Sequence, residues 1–244
     1  FSEEKNIFLF AITAVFISVS VTLFTGKEEP LLISKENHLK NPLFDIFSSF
    51  KSMPTVILRI LFVYLLCWSS YYPFILEFSD FFGVHCYKGT SSFDDKNYQN
   101  GVSFGMLSFS VMNFVVLVYI PFHDKIIQKV GMRNILIASQ IVQAFFMIFI
   151  IFFSLQGMEN RFVYIFFFAF LGIPAFIFSS IPFKIVELSV KVEQLSIYYG
   201  LMNVFAACGK QISAFINYAL VGSFAKCRGL VIGLGLIPAF SAAV

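Results

Sequence analysis

Long apolar runs, separated by mostly short polar connections, dominate the sequence. An α-helix needs about 20 apolar residues to cross the hydrocarbon core of a bilayer. Seven runs approach or exceed that length, the last being cut short: Asn6–Thr25, Pro54–Leu76, Val102–Phe122, Asn134–Leu155, Phe162–Phe183, Ser196–Gly222 and Leu230–Val244. Within lipid each run must be helical, because its backbone amides have no water to bind. The pattern therefore predicts an all-α integral membrane protein.

Composition supports this prediction. Hydrophobic residues make up 58% of the chain and charged residues 13%, against about 45–50% and about 25% in soluble domains. Too few polar residues remain to cover the surface of a soluble protein of this size. Glu3 and Glu4 precede the first run and no small-residue cleavage pattern follows it. We therefore expect a retained helix there rather than a secretory signal peptide.

Lysine and arginine favour one side of the predicted membrane. Nine lie on the connections of one side: Lys27, Lys35, Lys40, Lys51, Lys125, Lys129, Arg133, Lys184 and Lys191. Six lie on the other side: Lys5, Lys88, Lys96, Arg161, Lys226 and Arg228. The richer side is predicted to be cytoplasmic. The net charge of +3 then reflects topology, and no contiguous basic face indicates nucleic-acid binding.

A long cytoplasmic connection after one helix and before six is typical of the central loop of a transporter built from two six-helix halves. We therefore predict that residues 1–25 form helix six and residues 26–53 the central cytoplasmic loop. Residues 54–244 would form the C-terminal bundle, helices seven to twelve, with the last helix incomplete. The chain would be a C-terminal half fragment whose partner is the N-terminal six-helix half of the same protein. A seven-helix receptor is the disfavoured alternative.

The second apolar run and the residues after it carry a motif series. Cys67–Phe74 reads CWSSYYPF, and Ser79–Gly83 and Tyr87–Gly89 follow as SDFFG and YKG. Sucrose–proton symporters and their animal relatives carry a similar Trp, Pro-Phe, Thr-Asp-aromatic-Met-Gly and Tyr-x-Gly series in helix seven. Four further pieces of that family's pattern appear in order: Lys27–Leu31, Gln99–Gly105, Ser180–Phe183 and Gly200–Asn203. The chain thus resembles solute carrier family 45-like members of the glycoside–pentoside–hexuronide cation symporter group.

This resemblance implies a major facilitator-type helical bundle and a function. The function is secondary active, proton-coupled symport of sucrose or another di- or monosaccharide, by alternating access in the plasma membrane or a vacuolar or lysosome-related membrane. Many plant members carry a further acid where this chain has Phe78, a departure shared with the animal branch. The alternative is a transport-inactive membrane scaffold or sensor with the same fold. No cofactor, metal site or enzymatic activity is expected, since His38, His85 and His123 all fall in predicted connections.

Polar residues within the sixth run supply the first candidates for substrate binding or coupling. Asn203, Lys210 and Asn217 recur every seven residues, and Gln211 lies one position further round the helix. A charge at the bilayer centre costs about 2.5–3.5 kcal/mol, so Lys210 should face the bundle interior or a water-filled cavity. Either Lys210 contacts sugar hydroxyls or changes partner during transport, or it is a structural residue paired with a carbonyl or an acid.

Three candidates come from the predicted helix seven. Trp68 belongs to the motif series, and Asp80 lies at the outer end. Asp80 would either gate the external mouth or serve as a helix-end acid in a wet interface. Glu77 lies one helical turn deeper, where a carboxylate in a partly dry site can take up a proton.

Two connections leave alternatives open. Cys86 and Cys227 are predicted to lie on the same side of the membrane, where they would either pair or remain free thiols. The segment from His123 to Arg133 resembles a degenerate major facilitator loop signature. It would form either an inter-helix charge clasp or a plain positive-inside anchor, and we favour the anchor.

Overall fold

The computed structural model describes residues 53–92, 94–156 and 160–221, together with isolated positions between Ile12 and Phe24. The chain divides into two compact units, Phe1–Ser49 and Phe50–Val244. The described positions of the first unit are helical, as predicted for residues 1–25. Most of the predicted central loop, the final run Leu230–Val244 and Cys227 lie outside the described residues.

Five long helices follow one another in the described part of the second unit. They are α1 (Thr55–Asp80), α2 (Lys96–Val130), α3 (Met132–Leu155), α4 (Arg161–Ser189) and α5 (Leu195–Val221). A π-helical turn, Phe81–Cys86, extends α1, and a 3₁₀ turn, Val192–Gln194, precedes α5. The described residues contain no β-strand. The prediction of an all-α fold is confirmed.

Four of these helices are long and apolar enough to cross a membrane. They are Thr55–Cys86, Lys96–Val130, Met132–Leu155 and Arg161–Ser189, and the shortest has 24 residues, about 36 Å at 1.5 Å per residue. The helix α5 has 27 residues. It carries Asn203, Lys210 and Asn217 and is not among the four helices that are apolar enough to cross a membrane. The protein is therefore a multi-pass α-helical membrane protein.

Apolar side chains lie on the outside of the bundle as well as inside it. Phe114, Phe145 and Phe215 are 64%, 55% and 76% exposed, which suits lipid rather than water as the solvent. Inside, Phe168 of α4 packs against Phe74, Phe78, Phe81 and Phe82 with ring centroids 5.1–5.6 Å apart. This aromatic cluster joins α1 and its π-helical turn to α4.

Two helices are longer than their apolar runs predicted. The helix α2 begins at Lys96 rather than Val102 and continues past Phe122 to Val130. His123 is therefore in a helix and His85 in the π-helical turn, not in connections as predicted. Hydropathy detects only the part of a helix that lies in lipid, whereas α2 continues through Pro121 and ends at Gly131. Gly131 separates α2 from α3, and its φ of 85° is one that glycine adopts readily.

Charged groups at the two ends of the bundle agree with the predicted alternation of sides. Lys184 of α4 lies 3.3 Å from Asp124 of α2. At the opposite end, the Arg161 guanidinium lies 4.7 Å from the centre of the Tyr87 ring. Lysine and arginine residues predicted to share a side thus lie at the same end of the bundle.

Candidate functional site

Asp80 holds the end of α1 to the start of α2. The hydroxyl of Tyr98, in the first turn of α2, donates to Asp80 Oδ1 at 2.6 Å. A hydrogen bond to a charged acceptor at this length is strong. The structure thus places Asp80 in a contact between helices at the end of the bundle.

The glycines of the motif series make this contact possible. A Cβ atom on Gly83 would overlap the ring of Tyr98, and one on Gly89 would lie 2.5 Å from the backbone nitrogen of Tyr98. A Cβ on Gly101 would lie 2.6 Å from the Cα of Gly83. Much of the motif series therefore serves the close packing of the π-helical turn against α2, a role that sequence spacing did not reveal.

Asp95 fixes the connection that leads into α2. Its carboxylate accepts hydrogen bonds from Asn97 N at 2.8 Å, Thr90 N at 2.7 Å and Thr90 Oγ1 at 2.9 Å. The first of these caps the helix. These hydrogen bonds hold the pKa of Asp95 below its usual value, and those from Thr90 have the largest effect.

The helices α1 and α5 meet in a close seam. Gly209 lies against the carbonyl oxygen of Leu65, so closely that a Cβ atom there would overlap it. The Ser69 hydroxyl lies within hydrogen-bond distance of the carbonyl oxygens of Leu65, 2.9 Å away, and Gly209, 3.0 Å away. We call this contact the α1–α5 seam, and four of the predicted site residues lie on or beside it: Trp68, Glu77, Lys210 and Asn217.

Lys210 and Trp68 contact each other at one edge of the seam. The Lys210 ammonium lies 3.8 Å from the centre of the Trp68 ring, a cation–π contact. Tyr64 and Phe178 contact the same indole edge-on. Trp68 Nε1 is buried, and the Tyr64 hydroxyl is the polar group beside it. The contact lies near the middle of both helices, so it brings a charge and an indole donor to mid-membrane depth.

Glu77 and Asn217 meet inside the seam, nearer the end of the bundle at which Asp80 lies. Asn217 Nδ2 donates to Glu77 Oε1 at 2.9 Å, and the two residues are 5–6% exposed. Asn217 Oδ1 and Ser213 Oγ, one turn away on α5, are also buried and lack a hydrogen-bond partner in the part of the chain that the structure describes. One neighbour of the carboxyl is thus a neutral amide, which can both donate and accept.

The polar residues predicted to share one face of α5 do not all have the same environment. Asn203 and Gln211 are exposed, Lys210 is half-buried and Asn217 is buried. A seven-residue repeat drifts by about 20° per repeat on an α-helix. The drift turns Asn217 into the seam and leaves Asn203 outside it.

Two polar groups of the seam escaped the sequence analysis. Ser69 and Ser213 lie in the seam, but nothing distinguishes them in sequence from serines elsewhere. Away from the seam, Gln143 Nε2 of α3 donates to Ser70 Oγ of α1 at 2.6 Å. The neighbouring Gln140 is fully buried, and its side-chain amide has no partner among the described residues.

The segment from His123 to Arg133, most of which is the end of α2, makes one inter-helix ion pair, which we call the Asp124–Lys184 clasp. Asp124 and Lys184 join α2 to α4, and the hydroxyl of Tyr119 lies 3.0 Å from His123 Nδ1 beside them. The two charged side chains are 74% and 48% exposed, so the ion pair contributes at most about 1 kcal/mol. Cys86 is a free thiol among the described residues, and its predicted alternative partner, Cys227, lies outside them.

Comparison with known proteins finds relatives over nearly the whole chain. No protein-family model matches. The chain is 27% identical to sucrose transport protein SUT1 of Oryza sativa subsp. japonica over 270 residues, covering 98% of the chain and 48% of the relative. It is 28% identical to sucrose transport protein SUC4 of Arabidopsis thaliana over 213 residues, covering 79% of the chain and 41% of the relative.

These relatives are transport proteins, not enzymes. The chain spans about half the length of the curated relatives it matches. The all-helical structure and the sequence similarity thus agree: this multi-pass membrane protein is similar in sequence to plant sucrose transport proteins.

Proposed function

We propose that this chain is the C-terminal part of a secondary active transporter that carries a sugar together with protons. The observation that carries the proposal is the pairing of Lys210 with Trp68 at mid-membrane depth, in a chain similar over 98% of its length to a sucrose transport protein. A lysine at this depth is costly unless it faces a polar cavity or a partner. A cavity for a sugar is such an environment.

Lys210 and Trp68 have the chemistry that a sugar site requires. A sugar presents hydroxyl groups around its edge and apolar C–H groups on its faces. Lys210 carries three N–H donors and Trp68 an indole N–H, while the aromatic rings around Trp68 offer apolar surface. We propose that Lys210 and Trp68 contact the sugar, with Asn203 and Gln211 on the exposed side of α5 supplying further polar contacts.

Alternating access is the proposed mechanism. Residues 54–244 would rock as a bundle against an N-terminal six-helix half, exposing a site near the membrane midplane to each side in turn. Irregularities in the helices support such movement: α1 contains Pro73 and ends in a π-helical turn, and α4 contains Pro174 and Pro182. The Asp124–Lys184 clasp joins α2 and α4 at the predicted cytoplasmic end, so that these helices can move together.

The experiment is uptake of labelled sugars by the full-length protein in liposomes. A disaccharide and a monosaccharide are supplied with and without an inward proton gradient. The proposal expects at least one sugar to accumulate only when the gradient is present. Uptake at the background of empty liposomes for every sugar would contradict it, and saturable sugar binding without uptake would favour the scaffold or sensor alternative.

A further inference from the structure

The carboxyl of Glu77 lies where a transported proton could be held. Glu77 is nine residues from the Cys86 end of its helix, about 13 Å along the axis, and is 6% exposed. A charged carboxylate at such depth is costly in lipid, and intramembrane acids commonly serve proton pathways. The Asn217 amide lies 2.9 Å away on α5, so the acid and its neighbour belong to different helices.

Asn217 can serve both protonation states of this carboxyl. The ionised carboxylate accepts a hydrogen bond, and Asn217 Nδ2 donates one. The protonated carboxyl has an O–H to donate, and an amide oxygen accepts. Asn217 Oδ1 is buried without a described partner, and rotation of the amide would bring it to the carboxyl. Glu77 would then donate to Asn217 Oδ1, and the displaced Nδ2 group would need an acceptor, for which Ser213 Oγ, one turn along the same face, is available.

The half of each described helix that lies toward Asp80 carries further titratable groups. They are Tyr71, Tyr72, Asp80, His85 and Cys86 on α1 and its π-helical turn, Lys96 and Tyr98 on α2, Arg161 and Tyr164 on α4, and Cys208, Lys210 and Tyr218 on α5. Asp80 is held by Tyr98 and Lys210 lies over Trp68. Lys210 is seven residues from Asn217, about 10 Å along α5. The sugar contacts and the carboxyl thus lie along the same seam but are separate.

We propose that Glu77 binds the transported proton in this half of the protein, with Asn217 as its partner in both protonation states. The proposal rests on the proposed function. A proton from the outer side adds to a carboxylate oxygen of Glu77 to form an O–H bond. That bond breaks after the bundle reorients, and the proton leaves to the cytoplasmic side. No other bond changes, and both helices of the seam are in contact with the group that changes charge.

The test is Glu77→Gln in the full-length protein in liposomes. An inward gradient of one pH unit concentrates a sugar about tenfold at one proton per sugar. The wild type should reach such a ratio and Glu77→Gln should remain near one, while exchange of sugar across the membrane at equal pH persists. Glu187→Gln, the same change at an exposed acid of α4, should accumulate sugar like the wild type. Accumulation by Glu77→Gln equal to the wild type would overturn the inference.

A second variant decides the matter if Glu77→Gln does not reach the membrane. Asn217→Leu keeps the acid and removes its amide donor, which should move the half-maximal pH of sugar uptake upward by about one unit. An unchanged pH profile would also overturn the inference. Failure of the wild type to accumulate any sugar would instead contradict the proposed function, so the two failures are distinguishable.

Discussion

At the scale of residues, the polar groups of α1 and α5 divide into two sites that the sequence did not separate. Position alone showed that Glu77, Lys210 and Asn217 lie in apolar runs and need partners. It did not show that Asn217 binds Glu77, because the two are 140 residues apart and only the crossing of two helices brings them together. The cation–π contact of Lys210 with Trp68 was equally invisible, since a spacing rule relates residues within a helix, not between helices.

Replacement of Lys210 tests its proposed contact with the sugar. Lys210→Met keeps most of the side-chain volume and the apolar stem but removes the ammonium group. We expect uptake to fall at least about tenfold, since a hydrogen bond to a charged group contributes about 1.5–3 kcal/mol. The measurement is initial sugar uptake against sugar concentration, with the amount of folded protein in the membrane determined in parallel. Normal uptake, or loss of the protein from the membrane, would contradict the binding role.

Trp68→Phe tests the indole separately. The substitution keeps an aromatic ring for packing against Tyr64 and Phe178 but removes the Nε1 donor. Apparent affinity for the sugar should fall by up to about tenfold, because one hydrogen bond contributes about 0.5–1.5 kcal/mol, while the thermal stability of the protein changes little. An unchanged affinity would exclude a hydrogen bond from Trp68 Nε1 to the sugar.

At the scale of elements, hydropathy predicted that the described helices exist but not where they end. The sequence predicted helices at Pro54–Leu76 and Val102–Phe122. The structure has longer ones, Thr55–Asp80 with its π-helical turn and Lys96–Val130, because helices continue into the polar regions beyond lipid. The close contacts of these helices were only partly predictable. The contact of Gly209 with Leu65, for example, depends on which helices become neighbours.

Gly209→Ala tests the close approach in the α1–α5 seam. A methyl group there would overlap the Leu65 carbonyl oxygen, which is backbone and cannot rotate away. Overpacking of this kind costs about 1–3 kcal/mol, so the unfolding temperature in detergent should fall. Gly200→Ala is the matched control on the same helix, since nothing lies within 4 Å of its Cβ position, and it should leave the unfolding temperature unchanged or raise it. Equal unfolding temperatures for the two variants would contradict the described seam.

Asp95→Ala tests the junction between α1 and α2. The ionised carboxylate binds Thr90 and Asn97, and its folded pKa lies below the unfolded value. Its stabilising effect is therefore present above the unfolded pKa and is lost as pH falls through the folded pKa. The variant should unfold at a lower temperature than the wild type at pH 7, and the difference should shrink in strong acid. Asp94→Ala, at the exposed neighbour, should show no such pH-dependent difference.

At the scale of the whole molecule, the structure and the sequence comparisons independently support the account of a membrane transport protein. The described helices form a bundle with apolar residues facing outward, and four of the predicted site residues lie on or beside the α1–α5 seam within it. The relatives contribute the proposal of a sugar as substrate, which helix packing alone does not specify. Resemblance of the motif series to a family predicted both the fold class and the kind of relative. It could not predict that much of the series packs the end of the bundle around Tyr98.

The central claim, that the protein carries sugar with protons, is tested most directly by the current that transport would produce. A neutral sugar carried inward with a proton moves positive charge across the membrane. The full-length protein is expressed in voltage-clamped cells and sucrose or another sugar is added outside. The account predicts an inward current that saturates with sugar concentration and grows as the external pH falls. The absence of current for every sugar at every pH tested would contradict it.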